Sequence, residues 1–174
     1  MGKVVLGRVD ERLIHGQVMI TLSQKDGVNS IFVVDDVVYN ETFMKDLYKS
    51  AGNRTGKKTI VLNEQRAFYY WDKYKFKDYN CILVAKSIDV FYKLIKHGVE
   101  VCELNVGGIA KKDENDLLVT KSVYLNKEDA KKLKELREDY KIDNIYFQAT
   151  PISTKIKFRR SFEKFWFINH LSSP

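Results

Sequence analysis

Short apolar runs rich in β-branched residues alternate along the chain with longer amphipathic stretches. Runs at Val4 to Leu6, Ser30 to Val34, Lys58 to Leu62, Cys81 to Ala85 and Glu100 to Val106 are too short and too uniformly apolar for one-faced strands. They read as strands buried on both faces of a parallel sheet. Later strands are expected near Lys121 to Leu125 and Ile145 to Gln148. Between them lie helical patterns. One begins after Gly16 with Val18, Ile20 and Leu22, and a second runs from Glu41 through Phe43, Met44, Leu47 and Tyr48 to Gly52. A third covers Glu64 to Tyr74, and a fourth, Ser87 to Lys96, stops at Gly98 as helices tend to. The fifth, Asn126 to Tyr140, is the clearest: Asn126 can cap it, Glu128 and Asp129 sit in its first turn, and Leu133 with Leu136 faces the core.

Strand followed by helix, repeated, predicts an α/β fold with an open, mainly parallel sheet and helices on both faces. Ligands of such sheets bind beyond the carboxyl ends of the strands. The chain has two prolines, Pro151 and Pro174, and its nine glycines read as sitting at element ends, so no linker divides it. It reads as a single domain over residues 1–154, followed by a basic aromatic segment over residues 155–174 packed on that domain.

Composition narrows the class. With 174 residues and 44% apolar content, the chain can bury a core without disulfides or metal. No apolar run approaches the ~18 residues of a membrane span, and the start of the chain, broken at Arg8, does not read as a secretory leader. Cys81 and Cys102 sit in apolar runs and read as inert, reduced core residues of a cytoplasmic protein. The net charge of +7 is uneven: residues 155–174 hold five cations against Glu163 alone, which leaves +3 for the rest. A basic tail on a nearly balanced domain is weak support for a nucleic-acid groove, and no nucleic-acid partner is expected.

The chemistry concentrates in the first strand-to-helix turn, Gly7-Arg8-Val9-Asp10-Glu11-Arg12-Leu13-Ile14-His15-Gly16-Gln17-Val18. Two arginines, two acids and a histidine crowd the end of a strand, where backbone N–H groups and the next helix's positive end favour an anion. Neither GxxxxGK[ST] nor GxGxxG is present, so a nucleotide is not the obvious ligand. A histidine beside an arginine there suits an imidazole that acts on phosphate, as acid/base or as nucleophile. Capping or packing is the competing role for such a histidine, and Arg12 tips the balance, since a guanidinium binds phosphate oxygens through paired hydrogen bonds. No His, Cys and acid set falls at metal-ligand spacing, so neither a metal nor another cofactor is expected. His97, at a helix end, reads as structural, and His170 as solvated.

The stretch Arg8 to Val18 resembles the active-site loop R-[IV]-D-x-R-L-I-H-G-Q-V of the IIB component of the mannose/fructose/sorbose family of the bacterial phosphoenolpyruvate-dependent sugar phosphotransferase system (PTS). Ile31 to Asp36 is similar to that family's second strand, and Glu103-Leu104-Asn105-Val106-Gly107-Gly108-Ile109 to its E-[VL]-N-V-G-G-M segment. The likeness spans residues 3–154. It implies a protein-N(π)-phosphohistidine–sugar phosphotransferase subunit, cytoplasmic and peripherally associated with the membrane complex. His15 would accept a phosphoryl group from a IIA protein or domain and pass it to a sugar with the membrane subunits IIC and IID. By the same likeness Arg12 stabilises the transferring oxygens and Asp10 orients Arg12 or the imidazole. Arg8, Gly16, Gln17, Asp36, Asn105, Gly107 and Gly108 would complete the phosphate edge, and a homodimer is common among such subunits. Tight turns are the competing role for Asp36, Asn105, Gly107 and Gly108.

The departures are Glu11, Asp35 and Ile109 at positions where the family favours Asp, Asn and Met, and Val84 to Asp89 where it carries a Phe-Thr-Asn-Pro-like turn. A threonine contact to phosphate there is lost unless Ser87 supplies it. In the tail, Phe158, Phe162, Phe165 and Trp166 fall at helical spacing. They predict a last helix that packs on the domain or, as the alternative, meets a membrane surface or its subunits. A regulator that responds to phosphorylation without sugar transfer is the second functional reading.

Overall fold

The computed structural model describes residues 1–159. The chain runs β1 (Lys3–Asp10), α1 (Gly16–Ser23), β2 (Ser30–Val34), α2 (Asp36–Asn40), α3 (Thr42–Asn53), β3 (Lys58–Leu62), α4 (Glu64–Tyr74), β4 (Asn80–Ala85), α5 (Ile88–Lys96) and β5 (Leu104–Gly108). It continues through β6 (Leu117–Thr120), β7 (Val123–Leu125), α6 (Lys127–Glu138), β8 (Ile145–Phe147) and β9 (Ile156–Lys157). The main sheet has the order β3-β2-β4-β1-β5-β8-β9 and is parallel except for β9 against β8; β6 and β7 form a separate antiparallel hairpin.

Crossover handedness sorts the helices. From β1 the chain steps outward to β2 and then β3, and from β3 it returns through β4 to β5 and β8. Right-handed crossovers in opposite directions must lie on opposite faces. The core obeys this. Along β2, Ile31 and Val33 face Met19 of α1, Val38 of α2 and Met44 and Tyr48 of α3, whereas Phe32 and Val34 face Trp71 of α4, Phe91 of α5 and Leu133 of α6. The helix after β1 therefore goes to one face and those after β4 and β5 to the other. The reversal leaves a crevice at the carboxyl end of β1, where such sheets bind ligands.

The apolar patterning predicts this α/β architecture, and the differences have physical causes. β1 runs to Asp10, beyond the expected end at Leu6, because Arg8 and Asp10 are buried as a pair inside the sheet. β5 begins at Leu104 instead of Glu100; upstream, Val101 makes a single bridge to Val4, and the alternation turns Cys102 outward. Cys102 is therefore an exposed thiol, not a core residue, whereas Cys81 is buried and its thiol pKa is pushed up by burial. Gly107 lies inside β5 and Gly7 inside β1, not at element ends, whereas Gly108 is the last residue of β5. The hairpin strand β6 and the short helix α2 carry no clear periodicity in the sequence. Ile20, Phe43 and Leu47, expected on core faces, are exposed.

The cap read from the sequence at Asn126 is present, and Asn63 and Ser87 cap α4 and α5 in the same way. Asn126 accepts from the Asp129 N–H at 2.7 Å, Asn63 from Arg66 N–H at 2.8 Å, and Ser87 from Val90 N–H at 3.4 Å. Ser87 is thus engaged at the start of α5. His97 closes that helix, 2.9 Å from Asp72 and against the Phe68 ring. In the tail, Ile156 and Lys157 join the sheet and Phe158 is buried against Phe147, so the expected helix does not begin at Phe158. Phe162, Phe165, Trp166 and His170 lie outside the described residues. Asn126→Ala removes one cap and should cost about 1 kcal/mol, seen as a lower urea midpoint with an unchanged slope.

Candidate functional site

Asp10 is the last residue of β1 and is fully buried. Its carboxylate gathers three basic side chains. Arg8 Nη2 donates to Oδ2 at 2.7 Å, Arg12 Nε donates to Oδ1 at 3.0 Å and Arg12 Nη2 to Oδ2 at 3.1 Å, and His15 Nε2 stands 3.7 Å from Oδ2. The Arg12 backbone N–H adds a bond to Oδ1 at 3.1 Å. Burial pushes the Asp10 carboxyl up, but the Arg12 hydrogen bonds and the Arg8 charge outweigh it and hold the group below the ordinary carboxylate range.

Arg8 is placed otherwise than the sequence suggested. It is 1% exposed, and its guanidinium donates to Asp10, to Asn105 Oδ1, to Ala149 O at 2.8 Å and to Gln148 O at 3.4 Å. Burial lowers its pKa and Asp10 raises it, with a net shift down. Arg8 is therefore no open phosphate ligand but a cation locked under the loop. Asn105 is equally buried and bonds the Gln148 carbonyl at 3.2 Å, so it supports the cluster from beneath.

The glycines of β5 make this packing feasible. A Cβ on Gly107 would run into the Arg8 guanidinium. One on Gly108 would stand 3.0 Å from Asp10 Oδ1 and 3.4 Å from Arg12 Nη2. Both glycines therefore serve close approach of charged side chains to a strand.

From Asp10 the loop rises to the surface. Leu13 N–H bonds back to Asp10 O at 2.9 Å, and Leu13 holds a left-handed φ of 54° with its side chain buried. That conformation is uncommon for a branched side chain and persists here by burial. It brings His15 to the start of α1, where its Nδ1 lies 3.1 Å from Leu13 O. Nε2 is shielded from solvent and has no hydrogen-bond partner. Gly16 follows with φ 46°, and Gln17 is exposed on the first turn of α1. Arg12 is 57% exposed; Asp10 uses its Nε and Nη2 edge, which leaves Nη1 directed away. The Asp10 bonds raise the Arg12 pKa.

Seven of the ten residues singled out in the sequence, Arg8, Asp10, Arg12, His15, Asn105, Gly107 and Gly108, form one cluster where β1 meets β5. Gly16 and Gln17 flank it. Asp36 stands apart: β2 is separated from β1 by β4, and the Asp36 carboxylate accepts from the Glu64 N–H at 2.9 Å. Sequence reasoning passed over four contributors: the Gln148 and Ala149 carbonyls, Leu13, and Arg54, which lines a cavity of about 220 Å³ with His15. Carbonyl partners leave no signal in side-chain chemistry. Glu11, by contrast, accepts from Ala110 N–H at 3.0 Å and pairs with Lys112, which ties the loop to the segment after β5.

Comparisons with known proteins show the family and the fold of the chain. The family model for the PTS system sorbose subfamily IIB component matches residues 4–156. The sorbose-specific EIIB component of Lacticaseibacillus casei is 28% identical over 135 residues, 78% of this chain and 81% of the relative. The mannose-specific EIIAB component of Escherichia coli K12 is 28% identical over 131 residues, 75% of this chain and 40% of that longer protein. The crystal structure of manxB from Thermoanaerobacter tengcongensis superposes with a TM-score of 0.84 at 33% identity, covering 95% of this chain and 98% of that one.

Two outcomes follow for stability. Arg8→Met strips a buried carboxylate of its counter-ion and should cost about 3–5 kcal/mol in urea unfolding. The depressed Asp10 pKa contributes stability that is present above the unfolded carboxylate pKa of about 3.9 and is lost as pH falls through the lower folded value. Wild type should therefore lose stability below about pH 4 by a step that Asp10→Asn does not show, as read by thermal melts across that range.

Proposed function

The chain belongs to the sorbose subfamily of PTS IIB components, phosphotransferase subunits of sugar uptake, and we propose that His15 is the residue on which it carries the phosphoryl group. The observation behind this reading is the Asp10 cluster: one buried carboxylate orients a half-exposed guanidinium and an imidazole at the same strand end. Subunits of this family work with a IIA component and with the membrane components of the system. In this chain the donor is a phosphohistidine of IIA, and the acceptor is a sugar hydroxyl presented with IIC and IID.

The transfer is a displacement at phosphorus. A lone pair of neutral His15 forms the new N–P bond while the bond to the donor imidazole breaks, and the donor leaves as a neutral imidazole with its electron pair. In the second step the sugar oxygen forms a P–O bond, the bond to His15 breaks, and the hydroxyl proton passes to a base of the acceptor complex or to solvent. Nε2 faces the Asp10 carboxylate and is closed to solvent. We therefore assign attack to Nδ1, with the ring proton on Nε2 toward Asp10. The Leu13 carbonyl accepts only from a protonated Nδ1, so that contact is given up as the ring proton passes through solvent to Nε2 and the Nδ1 lone pair turns to phosphorus.

Arg12 supplies donors for the equatorial phosphoryl oxygens, which is the main catalytic need of such transfers. On this reading the charge is balanced by Arg12 and backbone N–H groups without a metal, so labelling from pre-formed phospho-IIA should persist in EDTA. Arg8 and Asn105 act as positioning residues, through Asp10.

Among the described residues no helix is long and apolar enough to cross a membrane, which suits a subunit that meets the membrane components from one side. The relatives are named for sorbose, fructose, mannose and N-acetylgalactosamine; we read the sugar as chosen by the membrane components.

Incubation with phosphoenolpyruvate, enzyme I, HPr and a mannose-family IIA should give an acid-labile, alkali-stable phosphate on wild type and none on His15→Ala. Arg12→Ala should label about 10²–10³-fold more slowly, the loss expected for one transition-state donor. Labelling of His15→Ala at the wild-type rate would contradict the assignment.

A further inference from the structure

The cavity that His15 opens into continues onto an apolar helix face that the proposed transfer chemistry does not use. α3 turns Met44 and Tyr48 to the core. Phe43, Leu47, Ser50 and Arg54 follow at steps of four, three and four, which puts them on one narrow stripe of the helix. That stripe faces solvent: Phe43 is 77% exposed and Leu47 50%. Ile20 of α1 and Val37 of α2 add further exposed apolar surface on the same side of the sheet. An amphipathic helix in a monomer would carry polar residues at Phe43 and Leu47 as it does at Ser50 and Arg54, and large apolar side chains left exposed beside a site mark an interaction surface.

Position tells what the face receives. Ile20, Ala51 and Arg54 line one cavity together with Ile14, His15 and Gly16. A protein that brings phosphorus to His15 must cover the rim of that cavity and come to rest on the adjoining stripe. The stripe from Phe43 to Arg54 is about 16 Å long at 1.5 Å per residue, close to the radius of a patch of about 800 Å², the usual share of one partner. Arg54 is exposed, and its side chain has no hydrogen bond or ion pair among the described residues, in contrast to Arg8 and Arg12. A free cation on the approach serves a partner that arrives carrying a phosphoryl group; a sugar hydroxyl brings no charge to meet it.

We propose that the face formed by Phe43 and Leu47 of α3 with Ile20 of α1 docks the phosphoryl-donor protein, and that Arg54 guides the donor's phosphohistidine to His15. The inference rests on the relay reading and adds the place and polarity of the donor contact. Apolar contacts hold the donor around its histidine, and the guanidinium steers the dianion.

The test compares two donors on the full chain. With the phospho-IIA that labels wild type, Phe43→Asp and Leu47→Asp should raise KM at least tenfold with little change in kcat. Phosphoramidate, a small donor with no protein surface, should label His15 in both variants within twofold of wild type. Arg54→Ala should lower kcat/KM for phospho-IIA about tenfold, with partial rescue in Arg54→Lys. These side chains are exposed, so urea midpoints should stay near wild type, and each variant is compared at equal folded fraction. Unchanged KM in both Asp variants overturns the docking face while leaving His15 phosphorylation standing. Normal transfer from phospho-IIA with impaired sugar phosphorylation in vesicles carrying IIC and IID overturns the donor assignment in favour of the acceptor. Failure of wild type to label with any IIA removes the relay reading itself, and the docking proposal with it.

Discussion

A carboxylate buried at the end of a central strand, with an equally buried guanidinium beside it, is the constraint on which the site depends. Asp10 and Arg8 both lie out of solvent, 2.7 Å apart. Taking such ions from water is expensive unless their remaining hydrogen-bonding capacity is filled. The fold fills it at both terminal nitrogens: Asn105 and the Gln148 and Ala149 carbonyls take up Arg8 beside Asp10, Gly107 leaves room for the guanidinium, and only Arg8 Nε stays without a partner among the described residues. Segments far apart in sequence thus converge on one ion pair. The free side of Asp10 then faces outward and holds Arg12, with His15 Nε2 3.7 Å away.

This arrangement suits a chain whose chemistry is positioning. Phosphoryl transfer asks for an aligned nucleophile and donors at the equatorial oxygens. Placing the orienting carboxylate on a strand, with the groups it orients on the following loop, gives a rigid base to a segment that must stay accessible. The reversal of crossovers on either side of β1 opens the crevice in which that loop stands. Glu11 with Ala110 and Lys112 ties the loop to the segment after β5, which restricts it on one flank and leaves the α1–α3 flank open.

Much of this was legible in the sequence. Period and run length located the parallel strands and five of the helices, and Asn126 announced its cap. The Arg8 to Val18 motif located the loop chemistry. What sequence obscured was where polar residues turn inward. Arg8 and Asp10 read as the end of a strand because charged residues rarely stay in a sheet, whereas mutual neutralisation keeps both inside. Cys102 read as core because its neighbours are apolar, although strict alternation around Val101 turns it out. Phe43 and Leu47 read as core by period alone; a 3.6-residue pattern cannot separate a stripe that packs inside the chain from one left for a partner. Asp36 read as part of the site from its place after β2, but β4 stands between β2 and β1.

The proposed chemistry requires that Asp10 occupy one edge of the His15 ring and leave the other to phosphorus. Phosphorus–nitrogen NMR on ¹⁵N-histidine-labelled chain, phosphorylated by phospho-IIA and kept above neutral pH, reads this directly. One-bond coupling to Nδ1 of His15, with the proton retained on Nε2, is the predicted result. Coupling to Nε2, or phosphate on any residue other than His15, would contradict it.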